Sequence, residues 1–94
     1  MKRSRQRDRD DLYAAILALG SIQEARKFFR DLLTEYEIAE FAERWKAARM
    51  LAEGRSYAEI AEETGLSSRT IARVARWLKR GKGGYAMALK RTRT

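Results

Sequence analysis

Apolar positions recur at helical spacing along most of the chain, and glycines mark where most of the runs stop. Leu12, Ala15, Ile16 and Leu19 make one face of a helix over about residues 11–19, ended by Gly20. A second run, Ile22 to Leu32, turns Ala25, Phe28, Phe29 and Leu32 inward. A third starts after Thr34 and stops near Gly54, with Ile38, Phe41, Ala42, Trp45, Ala48 and Leu51 as its apolar face. Three hydroxyl residues are each followed three positions later by Glu: Ser21–Glu24, Thr34–Glu37 and Ser56–Glu59. In such a capping box the hydroxyl satisfies one free backbone N–H and the carboxylate another. There is no proline and no alternating apolar run, so the fold is expected to be all-α. Residues 1–10 and the last few residues lack this patterning and are expected to be disordered, which leaves one helical domain over 11–94. The first two helices are short and apolar, and need a partner surface.

The stretch SYAEIAEETGLSSRTIARVARWLKR, Ser56 to Arg80, is the most informative. Ser56 caps a short helix whose inward residues are Ile60 and Ala61. Gly65 supplies a positive φ for a sharp turn, and Leu66 fills the angle behind it. Ser67 caps a second helix with Ile71, Val74, Ala75 and Leu78 inward. The small Ala61, the glycine and the two aliphatic anchors predict a helix-turn-helix over about 57–79, in preference to a plain helical hairpin.

The outward face of that second helix carries a cationic stripe. At about 100° per residue, Arg69, Arg73, Arg76 and Arg80 fall within a sector of about 60°, opposite Ile71, Ala75 and Leu78. Ser68, Thr70 and Ala72 flank it and are small enough to approach base edges. In a helix-turn-helix, the start of the second helix enters the major groove and later basic residues meet phosphates. Ser68, Arg69, Ala72 and Arg73 are therefore candidate base readers, since Arg pairs with guanine through two bonds. Arg76, Lys79 and Arg80 are candidate phosphate contacts, with Ser67 and Tyr57 as additions.

Charge changes the picture further. The 94 residues carry a net charge of +8. From Leu66 onward there are nine basic residues and no acidic one, whereas Leu12 to Glu63 holds seven basic against ten acidic residues. This asymmetry fits a polyanion, with a solvated tail as the alternative. There is no Cys and no His, so disulfides, thiolate metal sites and His-based nucleophilic catalysis are excluded. No enzyme, metal or cofactor is expected. Glu59, Glu62 and Glu63 are expected to be solvated. No apolar run is long enough for a bilayer, and MKRSRQRDRD is no secretory signal, so a soluble cytoplasmic protein with no membrane partner is expected. Gly81 to Gly84 lacks a phosphate-loop pattern and is expected to hinge a last helix whose Tyr85 and Leu89 dock back.

LLTEYEIAEFAERWKAARMLAEG followed by SYAEIAEETGLSSRTIARVARWLKRGKGGYAMAL resembles the Trp-repressor-like superfamily, and more closely its YerC/YecD-type branch. DLYAAILALGSIQEARKFFRDLLT fits that branch's N-terminal helices, so the resemblance covers about 11–91. It implies six helices, the fourth and fifth being the helix-turn-helix, and an intertwined homodimer built from the N-terminal, third and last helices. In tryptophan-responsive members two arginines sandwich the ligand's indole; they align with Arg44 and Arg73, and Thr34 aligns with a ligand contact. Val74 stands where those members have Gly, and Trp77 where they have Ser. Both would fill the ligand's space, so tryptophan is not expected to act as co-repressor, and any effector is unidentified. Arg73 has two candidate roles, pocket wall and DNA contact.

The chain thus reads as a prokaryotic, sequence-specific regulator of transcription, a repressor, that binds a pseudo-palindromic site in double-stranded DNA as a homodimer and is nucleoid-associated when bound. A non-specific nucleic-acid binder and a helix-turn-helix protein-interaction module are the alternatives.

Overall fold

The computed structural model describes residues 2–92; Met1, Arg93 and Thr94 lie outside it. It contains six α-helices and, among the described residues, no strand. In order they are α1 (Lys2–Leu17), α2 (Ile22–Leu32), α3 (Glu35–Ala52), α4 (Tyr57–Thr64), α5 (Ser68–Arg80) and α6 (Gly84–Thr92). The chain divides into two compact units, Met1–Ile38 and Ala39–Thr94.

In the first unit, α1 begins nine residues before the expected helix, within the segment 1–10 expected as a disordered arm. That segment lacks apolar periodicity, but Arg and Gln are good helix formers. The Gln6 amide also donates to Asp10 one turn later, at 3.2 Å. Helix α2 has its expected limits, because Ser21 accepts the Glu24 N–H at 3.1 Å. The Glu24 carboxylate, however, accepts from the Gly20 N–H at 2.7 Å rather than from Ser21, so the expected box is only half formed. Phe28 and Phe29 meet edge to face with centroids 5.5 Å apart. Neither they nor any other residue of α2 is fully buried.

The box at α3 is complete: the Glu37 N–H donates to Thr34 Oγ1 at 3.1 Å, and the Thr34 N–H to Glu37 Oε1 at 2.9 Å. The second unit holds the core, formed by Ala47, Ala48, Met50, Ile60, Ile71 and Val74. Trp45, Leu51, Ala61, Leu66 and Tyr85 pack against it, half buried. The buried face of α3 is thus Ala47, Ala48 and Met50, whereas Phe41 and Ala42, expected inward, are exposed. α3 is apolar on more than one side, so spacing alone does not pick the side that this core takes up.

The α4–α5 turn follows from local chemistry. Ser56 and Glu59 form a full capping box at the start of α4. Gly65 ends α4 at φ 78°, the left-handed conformation that favours glycine. Thr64 is buried, yet its hydroxyl is satisfied twice: it donates to the Ile60 carbonyl at 2.7 Å and accepts the Leu66 N–H at 3.1 Å. Leu66 packs against the core as expected. Ser67 then caps α5 by accepting the Thr70 N–H at 3.1 Å.

Candidate nucleic-acid interface

The anchors and the cations of α5 separate by face. Ile71 and Val74 are buried, and Ala75 and Leu78 half buried. Arg69, Arg73, Arg76, Lys79 and Arg80 are all exposed, as are Ser68 and Ala72, and Thr70 is half buried. The structure therefore leaves the predicted stripe on one open surface of α5. Ser67 is also exposed, but its hydroxyl caps the helix and donates to Thr70 Oγ1 at 3.1 Å. Tyr57, the first residue of α4, reaches the same surface. With Ala72, Ala75, Arg76, Lys79 and Arg80 it lines an open depression of about 280 Å³.

Pairing of charges divides along the chain. Arg30 pairs with Glu35, Arg44 with Glu40, Lys46 with Glu63, and Arg55 with Glu53, Glu59 and Glu63. Among the described residues no cation of α5 or α6 has a carboxylate partner within 4.0 Å. The stripe is left unneutralised, as a polyanion-binding surface requires.

The residues that the resemblance aligns with tryptophan-binding positions take several settings. Arg44 Nη2 holds Glu40 Oε2 at 3.0 Å, and its guanidinium lies 5.9 Å from the centre of the Phe41 ring. Thr34 caps α3. Val74 faces the core, Arg73 lies on the open stripe, and Trp77 is 51% exposed.

Arg55, Lys46 and the carboxylates around them form a network that sequence reasoning missed. Glu59 and Glu63 are exposed as expected, yet they are not simply solvated. Arg55 Nε meets Glu59 Oε2 at 3.2 Å, Arg55 Nη2 meets Glu63 Oε2 at 2.6 Å, and Lys46 Nζ meets Glu63 Oε1 at 3.5 Å. The Glu59 carboxyl lies below its ordinary pKa, first because it accepts the Ser56 backbone N–H and then through the Ser56 hydroxyl and Arg55. The Glu63 carboxyl is also lowered, chiefly by its hydrogen bond from Arg55, and the Arg55 guanidinium is raised by the same bond. The signal lay in the spacing: Glu59 and Glu63 sit four and eight residues after Arg55.

Comparison with known proteins places this arrangement. The family model for the Trp repressor protein matches residues 7–93. The chain belongs to the Trp repressor family. An uncharacterized Bacillus subtilis protein, YerC, is 45% identical over 89 residues, covering 95% of this chain and 86% of that protein. A TrpR-like protein from Eubacterium eligens has a solved structure that superposes with a TM-score of 0.84 at 44% identity, covering 87% of this chain and 84% of that one. A solved Staphylococcus aureus structure gives 0.83 at 43% identity, with 87% and 82% covered. The six-helix reading and the YerC-type resemblance of the sequence agree with these matches. In this Trp repressor family member, no helix among the described residues is long and apolar enough to cross a membrane.

Proposed function

We propose that the chain is a sequence-specific DNA-binding regulator of transcription, a repressor, in which α4 and α5 form a helix-turn-helix. The observation that carries this reading is the exposed, unpaired row of Arg69, Arg73, Arg76 and Arg80, opposite the buried Ile71 and Val74. Ser68, Arg69, Ala72 and Arg73 read base edges, while Arg76, Lys79, Arg80 and Tyr57 hold phosphates. Membership of the Trp repressor family supports the same reading. The protein acts in the cytoplasm, on the nucleoid.

The regulator works as an intertwined homodimer on a pseudo-palindromic operator, with half-sites about 34 Å apart. Burial supports this. No residue of α2 or α6 is fully buried, and Tyr13, Leu17, Ile22 and Tyr36 stand 56, 85, 70 and 79% exposed. So much exposed apolar surface on α1, α2 and α3 calls for a second copy. Selection from a random duplex library tests both parts: a palindromic consensus is expected, and enrichment of no sequence overturns the proposal.

Tryptophan does not serve as co-repressor in this reading. Arg44 is held by Glu40, Val74 brings a branched side chain where responsive members have glycine, and Trp77 brings an indole of its own. Calorimetric titration is expected to give no heat of tryptophan binding. Micromolar binding together with tighter operator affinity overturns this point.

A further inference from the structure

We propose that Arg55 is a positioning residue for the reading head: it grips α4 along its length and so fixes the angle at which α5 meets DNA, without touching DNA itself. The inference rests on the helix-turn-helix reading above.

α4 has only eight residues, well below the roughly 12–15 at which isolated helices become even marginal in water. Its inner face gives Ile60 and Thr64 to the buried interior. Its outer face carries Glu59 and Glu63, and Arg55, just before the cap, reaches both. One guanidinium thus bonds the first and the last turn of the helix. All four carboxylate oxygens are engaged. Glu59 Oε1 accepts the Ser56 N–H at 3.0 Å and its hydroxyl at 3.2 Å, while Oε2 faces Arg55. Glu63 Oε2 also faces Arg55, and its Oε1 faces Lys46 of α3. Glu53 lies at 3.9 Å from the third guanidinium nitrogen.

Isolated surface ion pairs do little, but a shared network with fixed geometry does more. The planar, forked guanidinium can serve both turns at once, which a lysine ammonium cannot match. The grip also falls where direction is set. Glu63 lies two residues before Gly65, at whose left-handed φ the chain swings into α5. Through Lys46, the same carboxylate ties that last turn to α3. A loosened α4 therefore leaves α5 less often in the orientation that meets the groove.

Arg55→Lys and Arg55→Gln test this against a selected duplex and a random one, by fluorescence anisotropy over a range of salt. If the competent orientation falls to about one-fifth of the population, apparent affinity falls about fivefold. Both variants are expected to lose this much on the selected duplex, with the slope of log K against log salt unchanged and binding to random duplex little altered. A general loss of folded protein instead weakens both duplexes alike and lowers the helical circular dichroism. Glu63→Gln, a milder change, is expected to reproduce the selective loss with helical content intact. A slope reduced by about 0.9 in Arg55→Gln, with parental affinity in Arg55→Lys, makes Arg55 a phosphate contact and overturns the proposal. So does parental affinity in all three variants, or an equal loss on both duplexes with helical content intact. If the parent prefers no duplex, the helix-turn-helix reading fails, and this inference with it.

Discussion

The rings of Trp45 and Tyr85 stack with centroids 6.3 Å apart and planes 22° from parallel. Trp45 lies on α3 and Tyr85 in the first turn of α6, so an aromatic pair fastens the last helix to the core of the second unit. Tyr85→Ala removes half-buried contacts and the stack, and is expected to lower stability by about 1–3 kcal/mol. Tyr85→Phe keeps the ring and stays within about 0.5 kcal/mol of the parent. Urea unfolding followed by tryptophan fluorescence measures both; equal midpoints for parent and Tyr85→Ala would show that the stack contributes nothing.

Two glycines are required for different reasons, and substitution separates them. Gly65 has open space around its α-carbon but a φ of 78°, so Gly65→Ala is strained by about 1–2 kcal/mol. Gly81 has an ordinary φ of −80°, but a Cβ there overlaps the Trp77 backbone carbonyl that accepts the Gly81 N–H. Gly81→Ala is expected to lose about 1–3 kcal/mol through that clash. Asparagine tolerates the left-handed region, so Gly65→Asn recovers part of the loss and Gly81→Asn recovers none. Thermal melts of the four variants decide; recovery at position 81 contradicts the steric account.

Arg69 and Lys79 are predicted to fail in distinguishable ways. Arg69→Ala loses about 1–3 kcal/mol on the selected duplex and changes random duplex little, because a base contact is lost. Lys79→Ala weakens both duplexes alike and reduces the salt slope by about 0.9, because a phosphate contact is lost. If the two variants behave identically on both duplexes, base reading by Arg69 is ruled out.

Acid should loosen α4 as Glu59 and Glu63 take up protons. The Glu59 and Glu63 carboxyls are held below their ordinary pKa of 4.5 in the folded state. They bind protons less readily folded than unfolded, so their contribution to stability is complete above about pH 4.5. It is lost as pH falls through the lowered values. A plot of melting temperature against pH is expected to bend downward in that range. The Glu59→Gln, Glu63→Gln double variant, which keeps a cap-competent Gln at position 59, should show a shallower bend. An identical bend in the double variant would place the acid sensitivity elsewhere.

What was legible in the chain was whatever local chemistry decides. Ser21, Ser56, Ser67 and Gly65 fix helix limits through bonds within a few residues, and α2, α4 and α5 fall where those residues put them. The open face of α5 was legible because charge and apolarity alternate there with one clear period. The first turns of α1 were not legible, since a charged helix held by propensity and contacts such as Gln6–Asp10 leaves no apolar signal. On α3, Phe41 and Met50 are equally plausible core residues until packing with Ile60, Ile71 and Val74 selects Met50. The Arg55 network shows in the sequence only as a spacing of four and eight residues across the Ser56 cap, and each Glu taken singly fits a solvated face.

The separation of charge in the second unit has a kinetic consequence. Carboxylates and their partner cations occupy α3, α4 and the turn between them, while the cations of α5 and α6 face solvent unopposed. In the field of a polyanion such a body experiences a torque as well as an attraction, so it turns its α5 face forward while still approaching. Fewer encounters are then wasted in the wrong orientation, and added salt slows productive arrival as well as weakening the bound state.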